Sequence, residues 1–343
     1  MGFRDVDAMF MDPPLGAPFV SRSAAMDVVY TWVDGAWPGY EADLRAYATA
    51  PVDRNPNRYR DNLDLLKYSL RSLESHLEEA DRVFLVTRKP QVPSWLDTER
   101  VCVVHHDACV DTSGTEPPVA APTFSSFAIV SMLHRVPGVG REFLYMEDDR
   151  LFLRPTRRSD FVDARGRLRL HVHGERTPST DPGHRSPWER ALYEANVALD
   201  ARYGACERPS LKRAPLFVDR DAFAACVDTF RQEIGRTRAN RFRSPGSVPL
   251  EHLYPWAMYH QGRGVLADPG RRVFTRSRRF GYAGLVNVAW WNAASIAFAR
   301  ARGASMLTLN DDFGSSPRTR AVNHVRRFLE RTFPRPSRFE RPS

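Results

Sequence analysis

The chain has 343 residues but only four cysteines, Cys102, Cys109, Cys206 and Cys226. No CxxC pair occurs among them, so neither a disulfide framework nor a thiolate zinc site is expected. No stretch approaches 18 consecutive apolar residues, which argues against a membrane-spanning helix. The first twenty residues lack a basic segment followed by an apolar run, so no secretory signal is expected, and the sequence reads as cytoplasmic and bacterial in type. The phosphate-loop pattern GxxxxGK[ST] and the dinucleotide pattern GxGxxG are both missing. So are GxSxG and HExxH, which removes two hydrolase classes.

Lysine is nearly absent. Only Lys67, Lys89 and Lys212 occur among 50 basic residues, and the rest are arginine, the better bidentate grip on phosphate. The overall balance of +9 conceals a split. Residues 1–150 carry 15 basic and 23 acidic side chains, net −8, whereas residues 151–343 carry 35 and 18, net +17. Such a basic half suits an anionic partner, and a nucleic-acid-binding protein is one reading of it. No compact nucleic-acid motif accompanies it. At 42% apolar the chain has enough material for a sizeable core.

Residues 1–25 form an irregular lead punctuated by Pro13, Pro14 and Gly16. Residues 26–33 (MDVVYTWV), 83–87 (VFLVT), 101–105 and 143–146 (FLYM) read as strands, with helices expected over 41–50 and 125–134. Leu66, Leu70, Leu73 and Leu77 form one apolar stripe, predicting a helix capped by Asp61 or Asn62. This alternation predicts an α/β fold, a mainly parallel Rossmann-type sheet with helices on both faces. Further on, 167–172 reads as a strand. Ser186-Pro187-Trp188-Glu189 is a capping box opening a helix through Tyr203. Helices are also expected over 221–234, 250–261, 287–302 and 317–333, a strand over 306–309, and disorder over the last ten residues. The expected organisation is a lead (1–25), one catalytic unit (26–313) and a basic C-terminal helix and tail (314–343). The unit divides into a nucleotide and metal core (26–160), a mainly helical insertion (161–270) and a return to the core (271–313).

Two acidic pairs share one context, a short apolar strand running into adjacent aspartates: FLYMEDDRLF and MLTLNDDF. Ligands of open α/β sheets sit outside the carboxyl ends of strands. Carboxylates delivered there suit Mg²⁺ or Mn²⁺, which keeps other positions for water and substrate phosphate.

Read together, the segments resemble the Stealth family. DVVYTWVDG (27–35) is similar to its first conserved block. RYRDNLDLLKYSLRSLE (58–74), VFLVT, VPSWL and PTFSSFAIVSMLHRVPGVGREFLYMEDDRLF (122–152) are similar to the second. APLFVDR and NRFRSPGSV resemble the third, and LNDDF the fourth. The resemblance implies a glycosyltransferase-A-like core and a metal-dependent sugar-1-phosphate transferase. Such an enzyme joins a sugar phosphate from a nucleotide-sugar (here a UDP-linked hexose or N-acetylhexosamine) to a glycan hydroxyl, in capsule or exopolysaccharide synthesis. A conventional metal-dependent glycosyltransferase is the alternative within the same donor class. The chain departs from the pattern at Phe127, Val130, Glu147 and Lys212-Arg213, where family members usually carry His, Glu, Asn and His. Glu147 is a candidate to replace the carboxylate missing at Val130.

On this resemblance Asp149 and Asp312 are the leading metal ligands, followed by Asp148 and Asp311. Arg243 is the candidate phosphate clamp, with Arg241 as its alternate; around Phe242 the two would point one way in an extended segment. Asp34, Arg60, Asp61 and Asn62 are expected at the donor, and Tyr30 and Trp32 are candidates to stack on its base. The general base stays open among His171, His173, His252 and His260, with His105-His106-Asp107 behind them. Arg326 and Arg327 share the last helix with Val322, Val325, Phe328 and Leu329, which suits peripheral contact with an anionic inner membrane face.

Overall fold

The computed structural model describes residues 25–48, 60–183, 186–267, 279–314 and 316–342. The lead at 1–24 and the beginning of the return segment, 271–278, therefore lie outside the described residues.

A five-stranded sheet forms the centre. Its first four strands are β1 (Met26–Trp32), β2 (Ala80–Thr87), β3 (Val101–His105) and β4 (Glu142–Glu147). They are mutually parallel in the spatial order β3-β2-β1-β4, and β9 (Leu216–Asp219) closes the edge antiparallel to β4. Val28, Val29 and Tyr30 are consecutive and all fully buried, so both faces of the sheet are covered. The structure is thus a mixed α/β fold with a mostly parallel central sheet, as expected. The segment read as a helical insertion returns a strand, β9, to that sheet.

A second, three-stranded sheet carries β5 (Arg150–Phe152), β11 (Phe280–Leu285) and β12 (Met306–Asp311). Strand β12 runs parallel to β11 and antiparallel to β5. Small two-stranded sheets pair β6 (Leu168–Leu170) with β10 (Gly264–Leu266), and β7 (Val172–Arg176) with β8 (Pro209–Leu211).

Nine α-helices lie within the described residues: α1 (Tyr40–Tyr47), α2 (Leu65–His76), α3 (Ser126–Val130), α4 (Pro187–Tyr203), α5 (Arg220–Thr229), α6 (Arg231–Ala239), α7 (Leu250–His260), α8 (Ala289–Ala301) and α9 (Thr319–Thr332). The leucine stripe of α2 is buried as its period requires. Its start differs from the expected cap. Asp64, with φ 54°, precedes Leu65, while Asp61 accepts the Leu65 N–H at 2.9 Å from three residues further back. The capping box of α4 forms as read, Ser186 Oγ accepting from Glu189 N at 3.1 Å. The helix expected over 221–234 breaks at Phe230 into α5 and α6. That over 125–134 ends early, at Val130.

The last ten residues are not disordered as far as they are described. Phe339 is buried, Glu340 pairs with Arg71 of α2 at 2.7 Å, and Arg341 N donates to the Trp95 carbonyl. One buried aromatic and one paired carboxylate anchor a segment whose composition alone reads as polar.

Candidate functional site

The antiparallel pairing of β5 with β12 places the beginning of one strand beside the end of the other. Thr308 lies opposite Arg150, and Leu309 N donates to the Asp149 carbonyl at 2.9 Å. The two acidic pairs, 162 to 164 residues apart in sequence, are thereby brought to one cleft of about 1150 Å³. Asp148, Asp149, Asp311 and Asp312 all line it, at the carboxyl ends of β4 and β12. Burial raises the Tyr282 hydroxyl, and the nearby charges of Asp149 and Asp312 add to that, so both pairs act on one ring.

Charge is crowded on this floor. Burial, with the added field of Glu147, pushes Asp149 up to about 7. Burial and then the Asp61 and Asp149 charges raise Asp148 well above the carboxylate range. Burial pushes Asp61 up to about 6 against the bonds it accepts from Leu65 N and Trp32 Nε1. Asp311 is also raised by burial, and its oxygens accept from Asn62 Nδ2 at 2.8 Å and Phe313 N at 3.1 Å. Among the described residues no three His, Cys, Asp or Glu side chains are gathered in ligating positions. The donor set nevertheless fits a hard cation that needs one or two carboxylates. Among the described residues Asp149 Oδ1 is buried without a hydrogen-bond partner, and Asp312 is exposed to the cleft.

The cationic side of the cleft comes from the second half of the chain. Arg243 lies over the Phe127 ring at 4.4 Å and donates to Ser126 Oγ at 2.6 Å. Phe127 stands where the resemblance implies histidine, and here it supports a guanidinium by cation–π contact. Arg213 donates to Asn310 Oδ1 at 3.1 Å and lies 3.8 Å from Asp149, spanning the two acidic segments. The chain bends at Arg241 and Phe242, so the two arginines do not share a direction. Arg241 donates to the Ala121 carbonyl, lies over Tyr47 and is not among the cleft-lining residues.

Of the residues expected at the donor, Arg60 and Asp61 line the cleft, as does Trp32. Asp34 and Asn62 do not. Asp34 accepts from Ala36 N and Asp61 N, and its backbone is held on both sides by Gln91. Asn62 is spent on Asp311. Tyr30 is fully buried against Ser69 and is core, not a stacking platform.

His106, His171, His173 and His252 line the cleft, whereas His105, Asp107 and His260 do not. Burial and then Arg88 lower His106 to about 4, and burial and then Arg208 lower His252 to about 3. His171 gives its Nε2 to the Asp160 carbonyl.

Two acids at the cleft were weakly marked in the sequence. Burial opposes charge on Glu147, but Arg150, Arg213 and Arg243 hold it below the ordinary range. Its Oε2 accepts from the buried Arg150 at 2.7 Å. Val130 is sealed in the core, so Glu147 is the acid that meets the cleft. Glu147→Gln is expected to cost about 3 kcal/mol in urea unfolding, because Arg150 loses its carboxylate. An unchanged midpoint would mean that the Ala214 carbonyl satisfies Arg150 alone. Glu251, in the first turn of α7, is the other. Burial and then the Glu147 charge push it up to about 7, and its Oε2 has no hydrogen-bond partner among the described residues. An acid six residues after Pro245 of the arginine-rich loop was the only signal for it.

The fold and the cleft define a mixed α/β protein whose cleft has an acidic floor and arginine walls. Residues 58–170 match Stealth protein CR2, conserved region 2. It is 32% identical over 329 residues to an exopolysaccharide phosphotransferase of Streptomyces coelicolor, covering 93% of this chain and 52% of that protein. A Nocardia farcinica exopolysaccharide phosphotransferase is 31% identical (93% and 61% covered), and CpsY of Mycobacterium tuberculosis 28% identical (92% and 58% covered). The chain thus spans between about half and three-fifths of these relatives. No described helix is long and apolar enough to cross a membrane.

Proposed function

We propose that this chain is a sugar-1-phosphate transferase of exopolysaccharide or capsule synthesis, using a UDP-linked hexose or N-acetylhexosamine and releasing nucleoside monophosphate. One observation carries the reading. Two acidic pairs and two arginines, from segments far apart in sequence, converge on one cleft, in a chain similar to named exopolysaccharide phosphotransferases. A parallel sheet with the cleft at its strand ends supports a glycosyltransferase-A-like nucleotide half.

Arg243 and Arg213 hold the phosphate that is transferred, and Asp61 with Arg60 and Trp32 bounds the nucleotide side. The acceptor hydroxyl attacks the phosphorus next to the sugar. The bond from that phosphorus to the nucleotide's bridging oxygen breaks, and a phosphodiester forms. Glu251 takes the hydroxyl proton, since a carboxylate poised near 7 is suited to the task. Asp149 and Asp312, assisted by Asp148, would hold Mg²⁺ or Mn²⁺, which supplies neutralising charge at the diphosphate. The same reading places the basic helix α9 toward an anionic membrane face.

The test is a donor panel with Mg²⁺ or Mn²⁺. UMP release from a uridine donor is expected; UDP release would establish ordinary glycosyl transfer instead. Metal binding has its own readout. Asp149 and Asp61 titrate at about 7 and about 6 in the folded chain and at about 3.9 when unfolded. The folded state therefore binds more protons across that window, and the metal-free protein loses stability as pH rises from about 4 to about 7. Saturating Mg²⁺ is expected to raise Tm by about 5 °C at pH 7.5 and to do little at pH 4.5. Equal shifts at both pH values would place the cation elsewhere.

A further inference from the structure

Helix α8 carries large apolar side chains that its own core does not use. Trp290 is 70% exposed, Trp291 51% and Phe298 56%. Scattered exposed apolar residues are ordinary, but three on one 13-residue helix form a patch. At 100° per residue, Trp291, Phe298 and Arg302 fall within about 40° of one another, along about 16 Å of helix. The small residues Ala294 and Ser295 lie between the two aromatic positions, leaving the rings standing clear. Arg302 lies over Phe298 at 5.2 Å, and Trp290 meets Trp291 edge-on at 5.7 Å.

This stripe runs into the cleft. Phe298, Arg302 and the half-exposed Tyr282 line it. On its other side α8 borders a groove of about 630 Å³ shared with α9, walled by Arg300, Arg327 and Arg331. Among the described residues no carboxylate pairs with Arg300, Arg302, Arg327 or Arg331, in contrast to Arg71, Arg158, Arg208 and Arg238. Two flat rings and the guanidinium of Arg302 thus share one face of α8 that ends at the cleft, while Arg300, Arg327 and Arg331 stand on the opposite face.

We propose that α8 is an extended acceptor subsite, which binds a glycan alternating sugar rings with phosphodiesters and feeds its end into the cleft. The aromatic faces take the C–H faces of the sugars, and the Arg302 guanidinium takes a phosphate. The inference rests on the phosphosugar-transfer reading, because repeated transfer of that kind builds such a polymer. An anionic bilayer is the other surface for which tryptophan and arginine are suited. Continuity of the Trp291–Phe298–Arg302 face with the cleft favours the glycan.

The probe is an octamer of N-acetylglucosamine 1-phosphate, titrated by tryptophan fluorescence against the full chain. A dimer, a neutral chitooligosaccharide, inorganic polyphosphate and phosphatidylglycerol vesicles serve as comparators. Trp291→Ala with Phe298→Ala is expected to weaken the octamer at least about tenfold, and Trp291→Ala alone, outside the cleft lining, to leave nucleotide-sugar affinity within about twofold. These side chains are exposed, so Tm should not move. Octamer affinity unchanged by the double variant overturns the proposal. So does vesicle binding that the variant abolishes while octamer binding persists, or octamer binding that polyphosphate matches and the variant leaves alone. If the octamer binds through α8 but no donor yields UMP, the transfer reading fails and the subsite stands. If UMP is released and acceptor length has no effect on KM in either protein, the subsite alone fails.

Discussion

Asp149→Asn is expected to lower turnover at least about a thousandfold with little change in fold stability. Asparagine keeps the shape but removes a charge that has no hydrogen-bonded partner at Oδ1 and only a long contact, 3.8 Å, to Arg213. The folded chain gains nothing from that charge. Burial and Glu147 disfavour it, and its removal relieves repulsion on Asp148. A side chain that strains the resting protein and is indispensable to turnover is the signature of a ligand-binding carboxylate. The check is single-turnover UMP release together with thermal unfolding. In the variant the Mg²⁺-dependent rise in Tm should vanish as well. Retained turnover with a retained Mg²⁺ shift would move the cation away from the β4–β5 junction.

Glu251→Gln is expected to lower kcat/KM by about a hundred- to ten-thousandfold. Its pH profile distinguishes this loss from general damage. With the carboxyl poised at about 7, only the ionised form accepts a proton, so wild-type kcat/KM falls as pH drops below that value. The glutamine variant should lose this acidic limb, and Glu251→Asp should recover part of the rate. The cleft histidines make weaker bases: His106 and His252 are neutral but buried, and His171 is committed to a carbonyl. A profile with the same acidic limb in wild type and variant would return the role to His173, which also lines the cleft.

Much of this arrangement is legible in the sequence alone. Strand β4 delivering Glu147-Asp148-Asp149, and β12 delivering Asn310-Asp311, follow from short apolar runs ending in acids. The α2 stripe and the Ser186 capping box are local, and local rules find them. What escapes depends on partners far along the chain. Arg213 gains its place because β5 and β12 pair antiparallel and carry Asp149 and Asn310 to it. Glu251 faces Glu147 through the packing of α7, which no spacing encodes. Asp34 looks like a donor contact because it ends a strand, yet Gln91 and the neighbouring amides use it to hold the turn. The last residues read as solvent-loving by composition. The buried seat of Phe339 and the Glu340–Arg71 pair make them structural.

The junction of β5 and β12 has a consequence for biosynthesis. Half of the acidic floor sits on the central sheet and half on a separate apolar cluster built around Leu307, Leu309, Val325 and Leu329. A nascent chain can complete the central sheet once β9 has left the ribosome, but it then holds one aspartate pair and no opposite wall. The acidic floor is complete only when β12, some ninety residues later, docks along β5. A fragment that stops before β12 therefore lacks Asp311 and Asp312 and with them half of the acidic floor.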